Sequence, residues 1–487
     1  WLKCWPKFSL CPYFPIGRRR TPCHPRVYST GFCCHSVQRR VAKMVSNMPN
    51  PIAAITGSAK TRGMKFAEAK IVKIARGDTT ALEIIDKEVF DSAMVPICSY
   101  IVHPDCPCET LTLKRNMFTL SAFIGLAPCF HINKSIKRFS YIQNKIGDFS
   151  VEGSDLYDHL ESAGSYVYYG ADGASRFAAA LKSNASLTEI NLEDNSLGNE
   201  GANCLAEALE ANSTIVSLRL ANNQVGDKGC RRLSEALKKN STLTALDLDE
   251  NLISDEAIGE LLETVRQNAS VKEVGLRANR LTEQGADHVA KSLKDSSHLE
   301  LLNLRRNQLF DNGVCTIAEA LSSNHALREL HLSSNRIGNR GCCRLSECLD
   351  RNLALQKLYL EINLIEDEGA IRFAEMLEKN TCLTTLDLRM NAFSGAGYQA
   401  LADAVEANSV VLEMALSESL LASKGPVERI KAKLALNKEG PKLPPKEESA
   451  PAADDAAAPA DAKAASADAA ADPAALSASS TAPTTGT

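Results

Sequence analysis

The sequence predicts an α/β solenoid bent into a horseshoe, with a parallel β-sheet on the concave side and helices on the convex side. Three observations carry the prediction. Asn195, Asn223, Asn251, Asn279, Asn307, Asn335, Asn363 and Asn391 follow one another at 28-residue spacing without a slip. Apolar residues hold fixed places around each of them, at eight, five and three residues before and two residues after. The second half of the unit carries a helical apolar stripe, as at Leu205, Ala208 and Leu209, or Leu233, Ala236 and Leu237. Units of this size bury their apolar face only against their neighbours. The array is therefore one elongated domain, not the several compact ones that 487 residues would otherwise imply.

The elements follow in order along the unit, which reads L-x-x-L-x-L-x-x-N. Ile190 and Leu192, Leu218 and Leu220, Leu246 and Leu248 and their counterparts alternate with polar residues. That is the pattern of a short strand with one face in the core. The Asn comes where the chain leaves the strand and must bury backbone polar groups; its amide offers two donors and an acceptor to satisfy them. An apolar anchor follows two residues later (Leu197, Val225, Ile253, Leu281, Leu309, Ile337, Ile365, Phe393). Gly follows six residues later in seven of the eight units, with Ala257 the exception. The helix is expected to end near Asn212, Asn240, Asn268, Asn324, Asn352, Asn380 and Asn408 in a left-handed cap, with Ser296 departing. Strands stack about 4.8 Å apart and helices about 10 Å apart; the mismatch curves the stack.

This unit resembles the leucine-rich repeat class with ribonuclease-inhibitor-type repeats, as in NOD-like receptor repeat domains and the Ran GTPase-activating protein. The resemblance covers about residues 80–437. It implies the horseshoe and a protein-binding role, since the class hosts many binders.

Upstream the period breaks. Leu111 to Asn116 is another strand with its Asn, and Lys145 to Asp148 matches Gln224 to Asp227. Asp172 to Phe177 continues that helix start. Residues 117–144 and 149–171 are therefore expected to be insertions of 28 and 23 residues within one repeat. They are either long loops, where binding function often sits, or unspliced intron translated in frame. Leu82, Ile84 and Val89 indicate a degenerate first repeat, and Val411, Met414, Leu416 and Leu421 a degenerate last one. Such atypical ends cap a solenoid.

Three regions are expected: 1–79, a basic Cys- and Pro-rich segment; 80–437, the repeats; and 438–487, a tail. Residues 1–43 hold nine Lys or Arg, five Pro and no acid. They read as disordered or as translated upstream sequence with Met44 as the start, rather than as an organelle transit peptide, because Pro-rich chain does not form the amphipathic helix needed. From Pro451 onward 17 of 37 residues are Ala and none is aromatic, so that stretch cannot bury enough apolar area to order itself.

Composition narrows the function. A net charge of −4 argues against a nucleic-acid or membrane-surface role through bulk charge, and no apolar stretch reaches the ~20 residues of a membrane span. The sixteen Cys are scattered through helical positions, and the thiols read as reduced in an intracellular protein, cytoplasmic or nuclear. His103, Cys106 and Cys108, with Cys98 nearby, lack a zinc spacing. Residues 52–61 end like a phosphate-binding loop but miss its glycines. No cofactor, metal, small-molecule substrate or catalytic residue is expected.

The polar residues between the strand leucines face the concave solvent side. There the expected protein-binding residues are Arg219, Asp247, Asp249, Glu250, Arg277, Arg305, Arg306, His331, Tyr359, Glu361, Asp387 and Arg389. Acid gathers at Asp247, Asp249 and Glu250, with base beside it at Arg277, Arg305 and Arg306. Opposed charged patches of this kind steer and register a partner, and Tyr and Arg are common anchors. The expectation is a non-enzymatic scaffold binding a protein. The alternative is a GTPase-activating protein resembling the Ran regulator, whose strongly acidic tail is here diluted to scattered Asp such as Asp454, Asp455 and Asp461.

Overall fold

The computed structural model describes residues 62–144, 170–294, 296–417 and 424–439. The phosphate-loop-like stretch 52–61, residues 149–169 of the second expected insertion, Leu421 and the tail beyond 439 lie outside them.

Among the described residues, twelve strands form one parallel sheet in which spatial order equals chain order. The first six are β1 (Ala81–Ile85), β2 (Thr110–Lys114), β3 (Arg138–Ile142), β4 (Glu189–Asn191), β5 (Ser217–Arg219) and β6 (Ala245–Asp247). The rest are β7 (Glu273–Gly275), β8 (Leu301–Asn303), β9 (Glu329–His331), β10 (Lys357–Tyr359), β11 (Thr385–Asp387) and β12 (Glu413–Ala415). Register places equivalent residues side by side: Leu111, Phe139, Ile190, Leu218, Leu246 and Val274 form one inward row. Leu302, Leu330, Leu358, Leu386 and Met414 extend it. Helices such as Gly198–Ala211, Asp227–Leu237 and Asp255–Gln267 return the chain on the other side. The core is the continuous apolar layer between sheet and helices. This is the expected solenoid with a parallel sheet.

The glycine six residues after the Asn is a packing requirement. A Cβ on Gly285 would lie 2.1 Å from Asp255 Oδ1 and 2.6 Å from Leu281 Cδ1. Asp255 needs that space, because its carboxylate accepts from the Thr282 N–H at 2.8 Å and so joins one helix start to the next repeat.

Two asparagine ladders hold the repeats together. In the expected one, Asn307 Nδ2 donates to the carbonyls of Leu276 and Leu304, both at 3.0 Å, while its Oδ1 accepts from the Asn279 N–H at 3.1 Å. Every such bond satisfies a buried backbone group that has no ladder partner. The second ladder corrects the helix-end expectation. Asn212, Asn268 and Asn408 are extended, with φ of −96°, −93° and −90°, not left-handed. Their side chains do the work instead. Asn212 Nδ2 donates to the carbonyls of Leu181 at 2.8 Å and Asn184 at 2.9 Å, and Oδ1 accepts from the N–H groups of Thr214 and Ile215. At the departure, Ser296, the neighbouring His298 supplies the missing donor: its Nε2 lies 2.9 Å from the Val265 carbonyl.

The reading of 117–144 as an insertion is wrong. These residues are a complete repeat, with a helix at Leu120–Leu126 and β3 paired between β2 and β4. Asn144 stands on the first ladder, 28 residues after Asn116, accepting from its N–H at 3.1 Å and donating to the Leu113 carbonyl at 2.8 Å. Aromatics replace the leucines here: Phe139 and Tyr141 fill the strand positions and pack with Phe118, Phe123, Phe130 and Phe177. The extra chain lies only between Asn144 and Asn195, which are 51 residues apart. The boundary at 79 also shifts. Helix Arg62–Ala75 buries Ala67, Ile71 and Ile74 in the same core, so ordered structure precedes β1.

Candidate protein-docking surface

Each strand turns one side chain outward between its core positions and another just after them, four and two residues before the Asn. Register aligns these into two rows across the sheet. The structure brings most of the expected site residues together, but largely in contact with one another.

The acidic group is a hydrogen-bonded cluster. Asp247 Oδ1 accepts from the Asp249 N–H at 2.9 Å. Asp249 accepts from the Arg277 N–H at 2.7 Å and from Asn303 Nδ2 at 3.0 Å. Gly275 makes the room: a Cβ there would lie 2.8 Å from one carboxylate and 2.9 Å from the other. Burial raises both carboxyls, and the adjacent Asp247 charge helps push Asp249 up to about 7. The Arg277 guanidinium folds back onto Glu250 at 2.7 Å.

A second network spans four repeats. Arg305 Nη2 reaches Glu361 Oε1 at 2.6 Å, passing the repeat that carries the buried Ser333 at the matching position. Arg389 bonds the other Glu361 oxygen at 2.9 Å and Asp387 at 2.6 Å. Glu361 and Asp387 are buried, so these arginines neutralise interior carboxylates before they meet any partner. The sequence reading missed this role; its signal was small residues, Gly275 and Ser333, in otherwise polar rows.

His331 and Tyr359 stack at 4.2 Å between centroids with an 11° interplanar angle. His331 Nε2 lies 2.8 Å from Glu329 Oε1, whose other oxygen accepts from Lys357 at 2.9 Å. Burial pushes the Glu329 carboxyl up, yet Lys357 and His331 together hold it below its ordinary value.

Arg219 and Arg306 differ from the rest. Both are exposed, and neither has a carboxylate within ion-pair distance among the described residues. Elsewhere, Cys106 and Cys108 are buried, and among the described residues no three His, Cys, Asp or Glu side chains are grouped to hold a metal ion. No described helix is long and apolar enough to cross a membrane.

The family model described as "Leucine Rich repeat" matches residues 183–206, 211–234, 239–262, 323–345 and 379–402. No curated protein matches the chain. Among solved structures, an internalin from Listeria monocytogenes is similar at 16% identity and TM-score 0.41, over 77% of this chain and 100% of that one. The tropomodulin C-terminal domain of Caenorhabditis elegans is similar at 15% identity and TM-score 0.29, over 32% of this chain and 93% of that one. Leiomodin-1 actin-binding site 2 is similar at 19% identity and TM-score 0.29, over 31% of this chain and 87% of that one. The first three matched segments start 28 residues apart, in step with the asparagine ladder of the sheet, and on that shared register the chain carries leucine-rich repeats.

Proposed function

We propose that this chain is a non-enzymatic scaffold that binds another protein on the concave face of its sheet, in the cytoplasm. One observation carries the reading. Most charges of the two concave rows are spent on internal ion pairs, yet Arg219 in those rows and Arg306 beside them stay exposed without a carboxylate in ion-pair range among the described residues. The His331–Tyr359 stack stands on the same face as a flat, stiff contact. The parallel sheet beneath is held by backbone ladders, so these side chains are pre-positioned, which lowers the cost of ordering them on binding. The cytoplasmic placement is supported by thiols such as Cys230 and Cys342, which are free, buried and raised by that burial, as suits structural packing.

The test is affinity capture from a cell extract with the full chain, compared with the Arg219→Glu variant. Proteins retained by the wild type should be lost from the variant while the melting temperature stays within about 2 °C, because exposed charges contribute little to stability. Identical retention by both would reject the concave face as the binding surface. Reversing Arg305 or Arg277 is a poor test, since each holds a carboxylate within the fold.

A further inference from the structure

The residue immediately before each ladder Asn takes a left-handed backbone. Asp194, Asn222, Glu250, Ala278, Arg306, Ser334, Ile362 and Met390 all do so, with φ between 50° and 59°. The conformation is imposed by the fold: the N–H of each must turn toward the next repeat, as the Ile362 N–H does to the Arg389 carbonyl at 2.9 Å. Asn and Asp tolerate it; a branched Cβ is crowded by the backbone there. Ile362 is thus the least suitable residue in the row, and it does not gain by burial, being 41% exposed. Met390, the equivalent residue of the next repeat, is 64% exposed, and Leu364, just past Asn363, is 58% exposed. Three large exposed apolar side chains occupy neighbouring positions along one edge of the sheet, two of them on left-handed backbone. Stability alone gives no reason for this choice.

Two arginines flank this group on the same edge, with Ser334 between Arg306 and Ile362. Arg306 occupies the Ile362 position two repeats earlier, and Arg336 occupies the Leu364 position one repeat earlier. Arg336 lies over the Phe310 ring at 5.4 Å, and like Arg306 it is exposed with no carboxylate in ion-pair range among the described residues. Rows stack about 4.8 Å apart along the sheet. The apolar and cationic halves therefore fall within the reach of one short peptide segment. A contiguous apolar surface rimmed by one sign of charge marks a docking site for a partner of the opposite sign.

We propose that this edge, Ile362, Leu364 and Met390 with Arg306 and Arg336, docks a segment of another protein that presents apolar side chains at one end and carboxylates at the other. The inference rests on the protein-binding reading but places contacts on the edge of the sheet, not only on its concave rows.

The test uses the full chain and a displayed library of random 16-residue peptides, with the Ile362→Asn/Met390→Asn variant as the counter-target. The enriched peptides should be acidic and apolar. They should bind the wild type at least tenfold more tightly than the variant, and weaken with added salt. The variant should melt at least as high as the wild type, by about 1–3 °C, because Asn suits the left-handed position. Each of four results would overturn the proposal. Enrichment could fail, or the peptides could be basic. Peptides could bind both chains equally; if these are lost on Arg219→Glu, the concave reading stands and only the edge falls. The variant could melt lower, making the apolar side chains structural. Or the wild type could sediment as a dimer that the variant abolishes, making the occupant a second copy of the chain.

Discussion

His298 stands in for a missing asparagine, and that substitution can be measured. In a regular repeat such as that of Asn324, the amide donates to Leu293 at 2.6 Å and Ser296 at 3.2 Å, while Oδ1 accepts from Leu327 N–H at 2.8 Å. At Ser296 the hydroxyl keeps only the acceptor half, taking the Leu299 N–H at 3.3 Å, and the imidazole reaches the Val265 carbonyl from two residues away. A carbonyl only accepts, so Nε2 carries the proton. His298→Ala leaves that carbonyl only the Asn268 N–H at 3.1 Å, which it shares with the Thr264 carbonyl. Losing one such hydrogen bond costs about 0.5–1.5 kcal/mol. Adding Ser296→Asn to that background restores an amide 31 residues beyond Val265, the separation at which Asn324 reaches Leu293 and Asn268 reaches Leu237. The double variant should recover the loss. In the wild-type background Ser296→Asn should bring little, because imidazole already fills the site, so the two changes couple by about 0.5–1.5 kcal/mol. Guanidinium denaturation followed by helical circular dichroism reads all four proteins. A loss below about 0.5 kcal/mol for His298→Ala, or no recovery in the double variant, would refute the substitution.

Two further perturbations test other parts of the structure. Phe139→Ala should destabilise by about 3–5 kcal/mol, since a buried strand residue of a true repeat loses its packing; a change within about 0.5 kcal/mol, measured by the same denaturation, would return 117–144 to the status of a surface insertion. Asp249 gives a pH dependence. Its folded-state pKa, about 7, lies above the unfolded value of about 3.9, so its contribution is complete below that lower value and is lost as pH rises through 7. Between pH 4 and pH 8 the wild type should therefore lose up to about 4 kcal/mol relative to Asp249→Asn, whose amide does not titrate. A difference independent of pH would show that the carboxyl is not raised.

The eight regular repeats were legible because Leu and Asn serve the same physical task each time, and a 28-residue step keeps those tasks visible. The repeat at 117–144 was hidden for the same reason in reverse. Phe139 and Tyr141 perform the leucine task with rings, and the leucine pattern passes over them. The helix-end asparagines were found but given the wrong mechanism: their spacing fits a left-handed cap or a side-chain ladder equally, and only the extended backbone distinguishes the two. At the concave surface the identity of the residues was readable and their partners were not. Arg305 lies 56 residues from Glu361 in the chain, and that pair exists only because two turns of the solenoid bring them into reach past Ser333.

The ladders also decide where function can reside. Backbone groups that would otherwise need satisfying are taken by Asn223, Asn251, Asn307 and their equivalents, and by the helix-end set. Some outward residues still share that duty, as Asp247 does for the Asp249 N–H and Asp249 for the Arg277 N–H, and the others vary at little cost to the stack. Some are used inward all the same: Glu361 and Asp387 are buried carboxylates, and Arg305 and Arg389 are bound to them. Removing one partner of such a group leaves a buried charge, so mutating these residues will reduce binding by disturbing the sheet whether or not a partner touches them. Recognition must be sought where a side chain is exposed and the fold gains nothing from it. Arg219 and Arg306 meet that criterion by charge. Ile362 meets it more severely, because the fold is worse for having it.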